Sequence, residues 1–556
     1  MNPSGVLFLL GHVLLSLAAA LVVPASLAFA TAGPDRVAFV VSILTVTAAG
    51  AALVWVHRQP LGFRFERNDA FLLVTSAWIV ASLVGGLPWV VYKGPTFAVD
   101  ALFEGAAGFT TTGASILQEV EAEPAGLILW RSLTQWLGGM GIIVLGIAVL
   151  PKLNRGGLDL LGAEAPGPIA EKLTPRIART AKALWGIYVL LTMAEALALW
   201  GAGMTPLEAV NHAFTTLSTG GFSTRNGGVG DFSSPTIEWI ITAFMLAAGV
   251  NFALYFHLLR GRAEALCRDP EVRGYLAVAA AATLVVAGTL VTQQGHGLEK
   301  GLRLAAFQVV SVITTTGFAS ADYDFGHWPS LACVLLFCLM FVGGCAGSTT
   351  GSVKVVRVQV LLKKLAADLR RIVRPHEVVP VRQGQRAIPP DVVSAVTTFL
   401  HLFMLLFVAG GVLLVVCGLE PLTAFSASAA CLANIGPGFS DVGPAQNYGG
   451  LNTPAKLILT ALMIVGRLEL YTVLVLPLLI QRLRRRPGPT SVEIYTPPED
   501  SGEGVDVPVE RWVSGRYGLP VPDKRSLDPV SEAGEDTAED LGGPPSENPS
   551  SGESST

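Results

Sequence analysis

The chain has 556 residues, 51% hydrophobic and only 14% charged, with a mean hydropathy of +0.54. A soluble domain carries about a quarter charged residues, so this composition excludes one and implies a polytopic membrane protein. The net charge of −4 hides an asymmetry: residues 487–556 hold 15 acidic and 4 basic residues, which leaves 27 acidic and 34 basic in the remainder.

Residues 1–68 supply two N-terminal transmembrane helices. GVLFLLGHVLLSLAAALVVPASLAFA lacks a positive leading region and its apolar run exceeds the roughly 7–15 residues of a signal peptide, so it is predicted to be retained as a span. A second span is predicted over about 36–56, inside VVSILTVTAAGAALVWV and its flanks. From residue 69 a pattern recurs four times, in 69–182, 183–274, 275–392 and 393–486. Each unit opens with a spanning helix, near 69–91, 183–203, 275–293 and 393–417. A short segment follows: AVDALFEGAAGF, TPLEAVNHAFTTL, LRLAAFQVVSVI or PLTAFSASAACLA. A dozen helical residues rise only about 18 Å, too little for roughly 30 Å of hydrocarbon. Re-entrant half-helices are expected. The second has a clear start, with Thr205 as N-cap, Pro206 at the first helical position and Glu208 completing a capping box.

Each half-helix ends in a glycine phrase: GFTTTGAS, STGGFST, TTTGFAS and NIGPGFS, marked by Gly113, Gly220, Gly317 and Gly436. The intervals of 107, 97 and 119 residues are those of an internal repeat. Non-helical backbone at membrane depth is tolerated only where it is buried in protein or lines a watery cavity. Four such stretches converging on a pseudo-fourfold axis can replace a cation's hydration shell with carbonyls. The candidate cation-binding residues are Thr111, Thr112 and Gly113; Ser218, Thr219 and Gly220; Thr315, Thr316 and Gly317; and Asn434, Ile435 and Gly436. Glycine suits backbone dihedrals that a Cβ disfavours, and half-helix C-termini add partial negative charge. A bare turn with threonines bonding local backbone is the rival for any one copy; four copies after four half-helices argue against it. The expected fold is all-α: four pseudo-repeated helix–pore loop–helix units around one cation pore, plus the two extra N-terminal spans, ten spans in all.

Two features interrupt the later spans. GGCAGSTTGS (343–352) breaks an apolar run from about 330 to 362, which as one helix of about 50 Å is too long for the bilayer. Its Gly343, Gly344, Gly347 and Gly351 suit either close helix packing or a mobile intramembrane loop. Arg467 lies near the centre of the last apolar run. An intramembrane arginine faces a polar cavity or a partner, so it is read either as a pore-lining charge or as half of an ion pair. Basic clusters (Arg58 to Arg67, Lys152 to Lys182, Arg260 to Arg273, Lys363 to Arg374, Arg482 to Arg486) fall at the unit junctions, while the opposite turns carry acids. The positive-inside rule then makes the junctions and both termini cytoplasmic. Residues 487–556, acidic and rich in Pro, Ser and Gly, have the composition of a disordered tail.

The four phrases, with WLGGMGIIVLGIAVLP (136–151), TPRIARTAKALWGIYVLLT (174–192), GGCAGSTTGSVKVVR (343–357) and GRLELYTVLVL (466–476), resemble the TrkH-type members of the Trk/Ktr/HKT superfamily of potassium transporters. The likeness covers residues 1 to about 485, and the two spans before the first unit favour the TrkH type over KtrB. It implies potassium uptake across a prokaryotic plasma (inner) membrane, with K⁺ as transported ion and no catalytic cofactor. It also implies a homodimer in membrane lipid and a cytosolic nucleotide-binding TrkA-type regulatory subunit. In the family the loop at 343–352 acts as a gate and the arginine matching Arg467 as an electrostatic brake below the filter. In the plant branch serine at the first marker goes with sodium transport; here the residue is Gly113.

No enzyme is expected. The sequence has no GxxxxGK[ST], no GxGxxG after a strand and no paired metal-ligand motif. Six cysteines without a CxxC pair support neither zinc nor a disulfide framework. Glu195 and His212 stand isolated, and no nucleic-acid partner is expected. The competing function is a symporter that moves potassium with Na⁺ or H⁺ around a midplane site; such carriers usually show two inverted halves, whereas this chain shows four units.

Overall fold

Helices dominate because apolar segments in lipid must satisfy every backbone polar group internally. The computed structural model of the chain describes residues 2–59, 67–148, 173–384 and 386–477. The basic clusters at 152–172 and 482–486 and the acidic tail at 487–556 lie outside the described residues.

The first two helices, Pro3–Ala30 and Arg36–Val56, pack as a hairpin. They touch at Gly11 and Gly50, where a Cβ on either would fall 2.9–3.0 Å from the other's carbonyl oxygen. Small residues at such a crossing let backbones approach, which is how helices associate when lipid removes the hydrophobic drive.

Four outward spans follow: Arg67–Lys93, Leu173–Gly201, Pro270–Gln294 and Pro390–Val416. Each leads into a pore helix: Ala98–Phe109, Pro206–Leu217, Leu298–Ile313 and Pro421–Leu432. The capping box at Thr205 forms as expected, with the hydroxyl accepting from the Glu208 N–H and the Glu208 carboxylate accepting from the Thr205 N–H. The third pore helix starts four residues before the expected LRLAAFQVVSVI.

The return legs differ from the expectation. Among the described residues, the two N-terminal helices and the four outward spans are six helices long and apolar enough to cross a membrane, whereas most return legs are broken. The first leg, Ala125–Ala148, is one helix. The second bends by 97° between Pro235–Ala248 and Phe252–Leu259. The third breaks between Ser330–Leu339 and Val355–Val373, where a break was expected. The fourth turns at Leu468–Leu470 between Thr453–Arg467 and Tyr471–Leu474. Arg467 therefore ends a helix instead of sitting inside one. The strands are a two-residue hairpin, Arg382–Gln383 paired with Arg386–Ala387.

Burial sorts the faces. The pore helices are enclosed, with Phe103, Ala107, Phe307, Val309 and Ala427 fully or almost fully buried. Outer helices instead show Leu44, Leu284 and Leu405 at 65%, 68% and 64% exposure, as lipid-facing side chains do. All six cysteines are free; Cys333, Cys345 and Cys431 are buried small hydrophobes, while Cys338 is exposed on this outer face.

Candidate functional site: a ring of four filters above a broken helix

Each pore helix ends in the same way. The residue after its last turn enters left-handed backbone: Thr111 (φ +52°), Thr219 (+54°), Thr315 (+54°) and Asn434 (+56°). The next residue's N–H returns to the helix: Thr112 to Ala107 O, Gly220 to Thr215 O, Thr316 to Ser311 O and Ile435 to Ala430 O, at 2.8–2.9 Å. A left-handed cap is usually glycine or asparagine. Three β-branched threonines there are strained, and such strain persists only where surrounding structure enforces it, typically at functional sites.

The following glycines also have positive φ: Gly113 (+78°), Gly221 (+76°), Gly317 (+76°) and Gly436 (+101°). The second filter is thus shifted by one residue from the expected marker. Gly220 occupies the place of Thr112, Thr316 and Ile435, and Gly221 is the partner of the other three glycines. In the second filter the matching trio is Thr219, Gly220 and Gly221, with Ser218 one step behind in the helix cap.

These glycines close a ring. A Cβ on Gly113 would lie 2.0 Å from Gly220 O, on Gly221 1.9 Å from Thr316 O, on Gly317 1.7 Å from Ile435 O, and on Gly436 2.6 Å from Thr112 O. Each missing side chain is the space taken by the next filter's carbonyl, in the order one, two, three, four and back to one. Positive φ and steric room both require glycine, so the four filters surround one axis with four carbonyl oxygens. A cavity of about 170 Å³ opens onto it, lined by Gly113, Gly221, Gly317, Pro437 and Tyr448 among others.

Side chains behind the ring hold it. Thr110 and Thr112 share a hydroxyl hydrogen bond of 2.7 Å, and Thr314 and Thr316 one of 2.8 Å. The second filter has no such pair; Gln135 of the first return leg instead donates to Gly220 O (2.7 Å) and accepts from Phe222 N (3.2 Å). Asn434 donates to the Thr112 hydroxyl at 2.9 Å, and the Tyr448 hydroxyl to Gly436 O at 2.6 Å. His212 is packed between Phe232 and Phe318 with its ring 3.2 Å from Ser223 Oγ, a supporting position. Glu195, on the outward span of the second unit, is fully buried beside Thr216 of the second pore helix.

Sequence reasoning missed the groups that join unit to unit. Arg131, paired with Glu104 at 2.5 Å, donates to Ser223 O and lies 3.5 Å over the Phe222 ring, tying the first unit to the second. Glu238 and Arg303 pair at 2.6 Å between the second and third. Ser440 N donates to Asp324 at 2.7 Å between third and fourth, and Lys456 pairs with Asp100 at 2.5 Å between fourth and first. The available signal was charge inside otherwise apolar segments, which is costly in a membrane unless paired.

Below the ring lies the break of the third return leg. Gly351 N donates to the Thr315 hydroxyl at 2.7 Å, and the Thr349 hydroxyl to Leu217 O at 3.1 Å. A Cβ on Gly351 would fall 2.4 Å from Ala433 O. The loop thus touches the undersides of the second, third and fourth filters. It also fits into the bend of the second return leg, with Cys345 N donating to Gly249 O (2.8 Å) and Phe252 N to Gly347 O (3.1 Å). Gly343 and Gly344 abut Gly351 O and Gly249 O at its start, where a Cβ would clash at 2.4 and 2.7 Å. Arg467 donates to Thr349 O at 2.8 Å, while its Nε and second Nη have no protein partner among the described residues. Its neighbour Glu469 pairs with Arg357 instead, and among the described residues no carboxylate forms an ion pair with Arg467.

Four re-entrant helices closing a ring of backbone carbonyls, with a broken helix beneath it, are the architecture of a membrane transport protein. The chain belongs to the TrkH family, described as cation transport protein, whose profile matches residues 36–482. It is 43% identical over 445 residues to the Trk system potassium uptake protein TrkH of Salmonella typhimurium, covering 79% of this chain and 91% of that one. It is 38% identical over 482 residues to TrkH of Vibrio parahaemolyticus, covering 86% and 98%. The crystal structure of the potassium transporter TrkH from Vibrio parahaemolyticus superposes with a TM-score of 0.78 at 35% identity, covering 86% of this chain and 98% of that one.

Proposed function

We propose that this chain is a Trk-type potassium uptake protein in which ions pass through the four-part filter and are gated by the loop at 343–352. The observation that carries the reading is the cyclic contact of Gly113, Gly221, Gly317 and Gly436 with neighbouring carbonyls. Backbone oxygens fixed in a ring can replace a hydration shell and hold it at one size. Gly113→Ser therefore disturbs selection, because its Cβ and hydroxyl compete with Gly220 O for the same space. The loop obstructs the path directly under the filter and Arg467 adds a positive charge to it. Two unpartnered guanidinium nitrogens support a brake facing the path.

The four units at 69–182, 183–274, 275–392 and 393–486, with 1–68 before them, form one pathway in a prokaryotic inner membrane. Both termini are cytoplasmic, following the basic junctions. The active form is a homodimer in lipid, and a cytosolic TrkA-type nucleotide-binding subunit docks on the basic face, since the chain carries no nucleotide motif of its own. The acidic segment 487–556 is assigned to the cytoplasmic side with the basic junctions.

Uptake of ⁸⁶Rb⁺ into vesicles holding purified protein, competed by K⁺ and Na⁺, tests the assignment. K⁺ is expected to compete at far lower concentration than Na⁺. Equal competition would overturn it.

A further inference from the structure

The loop beneath the filter holds a second cation besides Arg467. Lys354, the last residue before the helix Val355–Val373, is 9% exposed. Its ammonium donates to the Thr350 carbonyl oxygen and to the Thr350 hydroxyl, the latter at 2.9 Å. That hydroxyl lies 2.8 Å from the Ser348 hydroxyl, which itself donates to Cys345 O. Among the described residues no carboxylate lies within 4 Å of the ammonium; Glu271 instead accepts from the loop's own Ala346 N and from Val356 N, and Glu469 belongs to Arg357. A buried ammonium without a counter-ion is costly unless oxygens replace its water. Thr350 supplies two such oxygens, neutral and closely spaced as in a site for a monovalent cation, and the Ser348 hydroxyl backs one of them.

We propose that Thr350 O and Thr350 Oγ1, backed by the Ser348 hydroxyl, form a monovalent-cation site on the intramembrane loop, occupied in the shut state by the chain's own Lys354. Successive carbonyls are then held by two tethered cations: Thr349 O by Arg467 and Thr350 O by Lys354. The two differ in origin. Arg467 comes from the fourth unit and bridges across the path, whereas Lys354 folds back from the loop's own end and fixes its shape. The loop leaves the path when the ammonium leaves Thr350, and K⁺, of the same charge and without a tether, competes for those oxygens. The inference rests on the reading of this loop as the gate.

The test uses the full chain with Cys267, Cys333, Cys338, Cys417 and Cys431 replaced, so that buried Cys345 of the loop reports its exposure. A small methanethiosulfonate reagent labels Cys345 in vesicles while ⁸⁶Rb⁺ uptake is followed in parallel. Lys354→Met, which keeps length and removes the charge, is expected to raise both labelling and uptake about ten-fold, the worth of one charge-assisted hydrogen bond. Lys354→Arg stays near the parent in uptake. In the parent, added K⁺ speeds Cys345 labelling; in Lys354→Met it has no effect. A folded Lys354→Met protein with parental labelling and uptake, or with K⁺-dependent labelling intact, would overturn the proposal. Deletion of Gly347 to Gly351 separates the two readings: if it raises uptake and Lys354→Met does not, the loop gates without this tether; if neither does, the gate itself is wrong.

Discussion

The filter ring and the loop beneath it are both irregular backbone at membrane depth, yet they are held in opposite ways. Each filter is anchored to its own pore helix by backbone hydrogen bonds, and each glycine abuts the next filter's carbonyl. The loop leans on elements distant in sequence: Gly249 O, the Thr315 hydroxyl, Leu217 O and Arg467. A local, mutually closed structure has one arrangement. A structure held by scattered backbone and side-chain contacts to other units can have two. The proposed function accordingly assigns selection to the ring and switching to the loop.

The comparison breaks most sharply at the ring. Gly113→Ser and Gly221→Ala each add about 1 kcal/mol of backbone strain at positive φ, besides a Cβ within about 2.0 Å of a carbonyl. Both are expected to lower K⁺/Na⁺ discrimination ten-fold or more in a dual-ion uptake assay, approximated from strain plus ring opening. Gly221 responding like Gly113 would also establish the one-residue register. Unchanged discrimination in either would remove the ring's role.

At the loop the expectation inverts. Deleting Gly347 to Gly351 removes at least three hydrogen bonds of about 1 kcal/mol each, and ⁸⁶Rb⁺ uptake should rise at least ten-fold with K⁺/Na⁺ discrimination near the parental value. A folded deletion with unchanged uptake would return the segment to simple helix packing.

A smaller change is expected from Arg467. Two unit charges 6 Å apart interact by about 3 kcal/mol at an effective dielectric of about 20, an upper bound for a wet path. Arg467→Gln and Arg467→Ala should raise uptake about five-fold, equivalent to about 1 kcal/mol, while Arg467→Lys stays near the parent. Stable variants that conduct more slowly would contradict the brake. The smallest effect falls on Gln135, which holds the second filter, one of the two without a threonine pair. Gln135→Leu loses two hydrogen bonds of about 1 kcal/mol each, spread over a ring with three intact filters. Discrimination is expected to fall about two-fold in the same assay; a loss as large as that of Gly113→Ser would mean that the second filter dominates selection.

Much of this was legible in the sequence because it was repeated. Four half-helices too short to span, each ending in a glycine phrase, announce themselves by count, and Thr205–Glu208 carries its own start signal. The break at 343–352 was visible as glycine density in an overlong run. What was not legible depended on tertiary contact. The doublet Gly220–Gly221 offers two equally good markers, and only the left-handed turn at Thr219 selects between them. The bend at Gly249–Asn251 carries one glycine and no proline; it forms because the third unit's loop pairs with it at Gly249 O and Phe252 N. The turn after Arg467 has Glu469 and Leu470 at positive φ without any glycine there, an arrangement tied to the Glu469–Arg357 pair. Nothing in GGCAGSTTGSVKVVR places the Lys354 ammonium on Thr350; only the fold of the loop does.

The proposed channel-like, potassium-selective path is tested most directly by the reversal potential of protein reconstituted in vesicles under separately imposed K⁺, Na⁺ and pH gradients. The account predicts a reversal potential that follows the K⁺ gradient and stays fixed when the Na⁺ or pH gradient is changed. A reversal potential that shifts with either of those gradients would contradict it and make the chain an ion-coupled symporter.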